Sequence, residues 1–268
     1  MRECVNSVDN PKVAISIVTY NSQHIFRVLD NIKEEFGNDS RFRFVIFDNH
    51  SSNEYTEKLK NYEDFADITF YHENNGFGFG HNYNLLNAKE EFFLIFNPDI
   101  ILKREDLLRM LDNMEKDPTI SLLVPKVLNP DGTAQHLMRD RVSVFDYALR
   151  FIPFKFVKNM FAKRLSSYEL RSIPNDRFVD IRIGSGCFML IRNNAFKDVN
   201  GFDDRYFMYF EDYDLCLELK KRQMRIVYTP FSNVVHYYER GAHKNSRLFK
   251  IFIKSMIKFF NKWGWKFI

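Results

Sequence analysis

Val13-Ala14-Ile15-Ser16-Ile17-Val18-Thr19-Tyr20-Asn21 is a short, largely β-branched run that stops abruptly at polar residues. A helical pattern follows from about Ser22 to Phe36. The unit then repeats: Phe42 to Phe47 ends at Asp48-Asn49, Ile68 to Tyr71 precedes Asn74-Asn75-Gly76, and Phe92 to Phe96 ends at Asn97-Pro98-Asp99. Strands alternating with helical patterns predict an α/β domain with a mostly parallel central sheet. In open sheets of that kind ligands bind beyond the carboxyl ends of the strands. Four strand ends bearing Thr/Asn, Asp/Asn, Asn/Gly and Asn/Asp are therefore expected to converge on one site.

The second half changes character. Asn129-Pro130-Asp131-Gly132 marks a turn between extended segments, a basic Phe-rich stretch covers about 145–165, and further extended segments fall near 178–191 and 224–229. Between the last two lies Glu211-Asp212-Tyr213-Asp214, preceded by Phe207-Met208-Tyr209-Phe210 and Gly201-Phe202-Asp203. Acids crowded beside apolar residues repel one another and lose hydration, which raises the pKa of at least one and makes it a candidate general base. A purely structural reading competes. Leu215, Cys216, Leu217 and Leu219 continue a helix-like pattern, and acids in a first helical turn offset the macrodipole.

With 268 residues, 45% of them apolar, the chain can bury a substantial core, so disorder is excluded as the default. Cys4, Cys187 and Cys216 match no zinc or disulfide spacing, which favours a reducing compartment. There is no basic leader followed by an apolar core and no run of 18 apolar residues, so a cytoplasmic, non-spanning protein is expected. The net charge of +4 hides an asymmetry. Residues 244–268 carry seven Lys/Arg and no acid, and 147–168 carry five and no acid, leaving the main body acidic.

Lys250, Lys254, Lys258, Lys262 and Lys266 recur every four residues among Phe252, Ile253, Met256, Phe259, Phe260 and Trp263. Each step advances only about 40° around a helix, so the lysines form one winding stripe on a basic amphipathic helix. An anionic membrane surface suits such a helix, and a terminal helix docked on the core with a solvated lysine face is the alternative. Nucleic acid is disfavoured by the acidic body. Asn75-Gly76-Phe77-Gly78-Phe79-Gly80-His81-Asn82 fails the dinucleotide fingerprint at its sixth position, His81, and no Gly-Lys-Ser/Thr exists for a P-loop. Its glycines permit close approach of a ligand or positive φ; packing of aromatics against the sheet is the competing reading.

In this order and spacing, Val18-Thr19-Tyr20-Asn21, Asp48-Asn49-His50-Ser51-Ser52, the segment Asn75 to Asn82, Asn97-Pro98-Asp99, Gly201-Phe202-Asp203 and Phe210-Glu211-Asp212-Tyr213-Asp214-Leu215-Cys216 resemble the inverting nucleotide-sugar glycosyltransferases of family 2, over about residues 12–245. The resemblance implies a GT-A fold over 1–243, with a nucleotide-binding half at about 12–100 and an acceptor and catalytic half at about 101–243, followed by the helix of 244–268. It also implies that Thr19, Tyr20, Asn21 and Asp48, with Asn75, Gly76, Asn82 and Asn97, meet the donor. Asp99 would bind Mg²⁺ or Mn²⁺ on the donor diphosphate, and His236 matches a position supplying a further metal or phosphate contact. Asp212 would be the general base and Glu211 would orient base or acceptor, with Asp214 fixing the turn. Gly184, Ser185 and Gly186 would shape the acceptor side. One departure is visible: where the family commonly has two acids flanking the middle residue, Asn97 leaves Asp99 as the sole carboxylate.

Within that family the Asn-Pro-Asp form, Gly184-Ser185-Gly186-Cys187-Phe188-Met189 and the run from Phe207 to Cys216 look most like bacterial rhamnosyltransferases that extend lipid-linked surface polysaccharides. The expected donor is dTDP-rhamnose, with a UDP-hexose as the alternative. The expected acceptor is a polyprenyl-diphosphate-linked saccharide met at the inner face of the cell membrane, through residues 147–168 and 244–268. A sugar-binding protein without turnover would have lost Asp99 or Asp212, and both are present. A nucleotidyltransferase would need a basic loop near the first strand, which Thr19-Tyr20-Asn21-Ser22 lacks.

Overall fold

The computed structural model describes residues 11–37, 39–237 and 246–268. Its first half is β1 (Val13–Thr19), α1 (Ile25–Phe36), β2 (Phe42–Asp48), α2 (Asn53–Leu59), β3 (Asp67–Phe70), α3 (Phe77–Leu85) and β4 (Phe92–Phe96). β5 (Ile100–Leu102), α4 (Arg104–Lys116) and β6 (Ile120–Leu128) follow, and then three short helices, α5 (Val144–Phe151), α6 (Lys155–Met160) and α7 (Ala162–Tyr168). The rest comprises β7 (Val179–Asp180), β8 (Phe188–Arg192), α8 (Asn193–Asp198), α9 (Glu211–Lys221), β9 (Arg225–His236) and a C-terminal helix, Ser246–Trp263.

Among the described residues the strands join in one sheet of order β3-β2-β1-β4-β8-β6-β9-β5, with β7 on β9. Period-2 alternation sends Val13, Ile15, Ile17, Phe92, Leu94 and Phe96 into one core and Ala14, Phe93 and Ile95 into the other. Strands covered on both faces read as continuous apolar runs, as β1 and β4 do. The β1–β2 and β2–β3 registers align Thr19 with Asp48 and Asp48 with Phe70, bringing two of the expected polar strand ends to one edge.

The parallel pairing expected from the sequence holds for β1 to β4. Beyond β4 the sheet is mixed: β4–β8, β6–β8, β5–β9 and β7–β9 are antiparallel, and β6–β9 is parallel. The β6–β9 register shifts between Pro125 and Lys126, where proline has no N–H for the ladder. The β5–β9 ladder pairs Ile100 with His236, and Tyr237 N donates to Asp99 O at 2.9 Å. Strand register thus seats His236 beside Asp99.

The C-terminal helix docks rather than standing off. Phe252, Ser255, Phe259 and Phe260 are buried, while Lys250, Lys254 and Lys258 are exposed. Of the lysine stripe, Lys262 turns inward to the carboxylates Asp203, Asp214 and Glu218 at 3.2, 2.8 and 2.9 Å. The chain after the helix returns to α5, where Val144 N and Phe145 N donate to Lys266 O and Phe267 O at 2.9 and 3.0 Å. The two basic segments are therefore neighbours. Cys4 and the boundary placed at 243/244 lie outside the described residues, and Cys187 and Cys216 are buried thiols without a disulfide.

Candidate active site

A cavity of about 470 Å³ opens where the ends of β1, β4 and β9 meet the start of α9. Its wall includes Tyr20, Asn21, Asn97, Asp99, Ser185, Gly186, Glu211, Asp212 and His236. Each arrives by a backbone device. Asn97 N donates to Cys187 O at 3.0 Å, extending the β4–β8 ladder and laying Ser185 to Cys187 beside Asn97-Pro98-Asp99. Gly186 N then donates to Asp212 Oδ2 at 2.9 Å. A side chain at Gly186 would begin 3.0 Å from Asp212 Cβ, so the glycine lets strand and acid meet.

Asp212 stands in the first turn of α9, entered through two left-handed non-glycine residues, Tyr209 and Phe210, both at φ 71°. Each such residue costs about 1–2 kcal/mol. Burial of the Phe210 ring against Tyr147, Phe252 and Phe259, at centroid distances of 5.0, 5.2 and 5.2 Å, offsets it. The turn aims the helix start into the cavity.

The two leading acids differ. Asp212 Oδ1 accepts from Tyr213 N at 2.9 Å and Oδ2 from Gly186 N, bonds that favour the ionised form. Burial outweighs them and pushes its pKa up to about 6. Glu211 is buried, its Oε2 has no hydrogen-bond partner among the described residues, and burial together with the Asp212 charge raises it well above the ordinary carboxyl range. The two environments set the acids apart: Asp212, held by two N–H groups, is the one placed to take a proton, and Glu211 is held further from its charged form. Asp214 faces away from the cavity, accepting from Lys262 Nζ at 2.8 Å and Trp263 Nε1 at 2.7 Å.

The opposite wall suits a hard cation. His236 Nε2 lies 3.3 Å from Asp99 Oδ1, and His236 Nδ1 is 2.9 Å from Gln135 Oε1. Gln135 Nε2 donates to His236 O and Asn129 Oδ1, both at 2.8 Å, which leaves Oε1 as the acceptor and places the imidazole proton on Nδ1. Nε2 is thereby turned toward Asp99 Oδ1 and the cavity. Asn97 Oδ1 is also buried without a hydrogen-bond partner among the described residues. No group of three or more His, Cys, Asp or Glu able to hold a metal occurs among the described residues. A few protein ligands with open positions fit Mg²⁺ or Mn²⁺ arriving on a diphosphate, not a closed metal cage.

Other expected donor residues sit behind the wall. Thr19 is buried with its hydroxyl on Tyr55 OH. Asp48 Oδ2 accepts from Ser51 N at 3.0 Å, Ser51 Oγ accepts from Asn21 N at 2.8 Å, and Asp48 Oδ1 is buried without a hydrogen-bond partner among the described residues. That oxygen remains suited to a base or ribose donor. Asn75 N donates to Asn49 Oδ1 at 3.3 Å and Asn49 Nδ2 to Gly76 O at 3.0 Å.

The structure places three of the expected groups away from the cavity. The segment from Phe77 is helical from its start, and its glycines admit protein instead of ligand: a Cβ on Gly76 (φ 94°) would fall 2.0 Å from Phe207 O, and one on Gly80 would meet Val18 and Phe47. Asn82 does not reach the cavity, because its amide donates to Phe202 O and Asp204 Oδ1 and accepts from Phe202 N. Gly184 likewise makes room for Val124, so only Ser185 and Gly186 of the acceptor-side trio line the wall.

The sequence profile described as Glycosyl transferase family 2 matches residues 14–199. The chain belongs to glycosyl transferase family 2. It is 32% identical over 252 residues to Rhamnosyltransferase WbbL of Escherichia coli (strain K12), covering 88% of this chain and 86% of that one. It is 31% identical over 160 residues to the N-acetylglucosaminyl-diphospho-decaprenol L-rhamnosyltransferase of Mycobacterium tuberculosis (strain ATCC 25618 / H37Rv), covering 59% of this chain and half of the other. Among solved structures, GalNAc-T7 with UDP, GalNAc and Mn²⁺ superimposes with a TM-score of 0.66 at 15% identity, over 93% of this chain and 48% of that one. The fold is therefore that of the GT-A glycosyltransferases.

In this family 2 member the cavity also contains groups that the sequence patterns did not single out. Arg139, Tyr147, Arg150, Phe151, Leu248 and Phe252 line it. Arg150 and Phe252 lie in the segments expected to face a membrane, yet they reach the site. Residues 137 to 151 hold no local motif, and only packing against the C-terminal helix reveals their place.

Proposed function

We propose that this glycosyltransferase transfers L-rhamnose from dTDP-rhamnose to a saccharide carried on polyprenyl diphosphate, with inversion at the anomeric carbon. The observation that carries the reading is the convergence of an ionised Asp212 and the Asp99–His236 pair on one cavity. Rhamnose is favoured because the two curated relatives described above are named rhamnosyltransferases, and a lipid-diphosphate acceptor because one is named for that substrate.

In this reading Asp212 takes the proton from an acceptor hydroxyl as its oxygen attacks opposite the leaving diphosphate. Gly186 N and Tyr213 N hold the carboxylate, while burial and the Asp212 charge disfavour a second charge on Glu211. Asp99 and His236, with Asn97 beside them, would hold Mg²⁺ or Mn²⁺, which neutralises charge developing on the diphosphate. Asp48, Asn21 and Tyr20 hold the nucleoside. Work on a lipid-linked acceptor places the protein at the cytoplasmic membrane face, a position served by exposed Phe154, Phe156, Met160 and Phe249 among Lys155, Lys163, Lys250 and Lys254. No helix among the described residues is long and apolar enough to cross a membrane.

A thermal-shift panel tests the donor. With Mg²⁺ or Mn²⁺, dTDP-rhamnose is expected to raise Tm more than UDP-glucose, UDP-galactose, UDP-N-acetylglucosamine or GDP-mannose. Stabilisation by a UDP-sugar alone would replace the rhamnose assignment, and stabilisation by none would overturn the functional reading.

A further inference from the structure

We propose that Arg139 and Arg150 form an acceptor-side anion subsite that binds the diphosphate of the lipid-linked acceptor. The inference rests on the transferase reading above and assigns the charge-bearing part of its second substrate.

Buried guanidinium groups need a counter-charge. Elsewhere the partly buried arginines have one: Arg43 pairs with Glu90, and Arg164 with Asp146 at 2.7 Å. Arg139 is 2% exposed, and its Nη1 donates only to the carbonyls of His136 and Met138. Its Nε is buried with no hydrogen-bond partner among the described residues, and the guanidinium lies 4.8 Å over the Tyr168 ring. Arg150, one helical segment on, is close enough for the two positive charges to oppose each other. Neither has a carboxylate within ion-pair distance among the described residues, and both line the cavity. The Arg139 charge is felt by Asp212 and favours its ionised form, but Asp212 makes no direct ion pair with either arginine, its oxygens bonding to Gly186 N and Tyr213 N. Two guanidiniums on one cavity, neither in an ion pair among the described residues, match the bidentate demand of a diphosphate.

The surroundings favour the acceptor's diphosphate over the donor's. The donor-side cation ligands come from the ends of β4 and β9, whereas both arginines come from residues 139–150. Beside Arg150, the Phe151 ring lies 5.0 Å from Phe252 and 5.3 Å from Phe249, and Phe249 is 39% exposed. An apolar path thus leads from the arginines to the exposed aromatic and lysine surface. A diphosphate seated on the arginines would send its prenyl chain along that path and present its sugar toward Asp212.

Calorimetry with geranyl diphosphate and with inorganic pyrophosphate tests the subsite without turnover. Wild type is expected to bind geranyl diphosphate more tightly than pyrophosphate; Arg150→Gln weakens it at least tenfold, Arg150→Lys less, and the affinity for dTDP-rhamnose with Mg²⁺ stays within twofold. Arg139→Lys, which keeps the charge but loses the fork, also weakens it. In transfer assays KM rises for a diphosphate-linked acceptor and not for the same saccharide on a neutral alkyl glycoside. Parallel loss of donor affinity, equal loss with the neutral acceptor, or unchanged geranyl diphosphate binding would each overturn the proposal. Retained prenyl-diphosphate binding in a wild-type protein that transfers nothing would instead count against the transferase reading.

Discussion

Asp212 and Glu211 are adjacent in sequence yet differ in environment, since only Asp212 receives backbone N–H bonds on both oxygens. A base works only unprotonated, so with its pKa at about 6, kcat/KM should fall as pH drops through that value and level off above it. A profile flat from pH 5 to 8 would contradict the assignment. Across the cavity, Asp99→Asn is expected to abolish the cation-dependent gain in nucleotide-sugar affinity, leaving affinity in EDTA unchanged; calorimetry with and without Mn²⁺ reads both. Asp99 and Asp212 were legible in sequence because each sits in a short motif. Arg139 and Lys262 were not, because their surroundings come from residues tens of positions away.

At the scale of elements, the C-terminal helix grips the segment that leads to Asp212, the proposed base. Ser255 Oγ donates to Met208 O at 2.8 Å, Lys258 Nζ to Arg205 O, and Lys262 and Trp263 to Asp214. Lys262→Met would strand the buried Asp214 carboxylate, at a cost of about 2–4 kcal/mol. Thermal unfolding should show that loss, and transfer should show a lower kcat with donor KM little changed. Asp214→Asn in the same background should recover part of the stability. Gly76→Ala strikes the same segment from the other side, where a Cβ would overlap Phe207 O, and should cost at least about 3 kcal/mol in denaturant unfolding. The first four strands were readable from β-branched runs ending in polar residues. β5, three residues long, and the β6–β9 pairing were not, since the partners of such strands are set by the folded chain.

At the scale of the whole molecule, the cavity between Asp212 and Asp99 lies beside a basic, aromatic face. The two basic segments that seemed separate in sequence meet through Phe151, Phe249 and Phe252 and through the backbone bonds of residues 144–145 to 266–267. Because Phe252 and Phe259 are buried, removing the helix would damage the fold itself, and charge substitution is the sounder probe. Lys155→Gln, Lys163→Gln, Lys250→Gln and Lys254→Gln together should cut co-sedimentation with anionic vesicles at low salt at least tenfold while Tm changes little, each lysine near such a surface contributing about 1 kcal/mol. Unchanged co-sedimentation would remove the membrane from the account. Amphipathic periodicity showed the helix, but not that one side of it builds the active site.

The central claim is that Asp212 performs the proton transfer on a donor held by the opposite wall. Measuring Asp212→Asn for sugar transfer and, in parallel, for nucleotide-sugar affinity by calorimetry tests it most directly. The expected result is affinity within about threefold of wild type and transfer reduced by about 10²–10⁴. Near-normal turnover in a folded, donor-binding Asp212→Asn protein would contradict it.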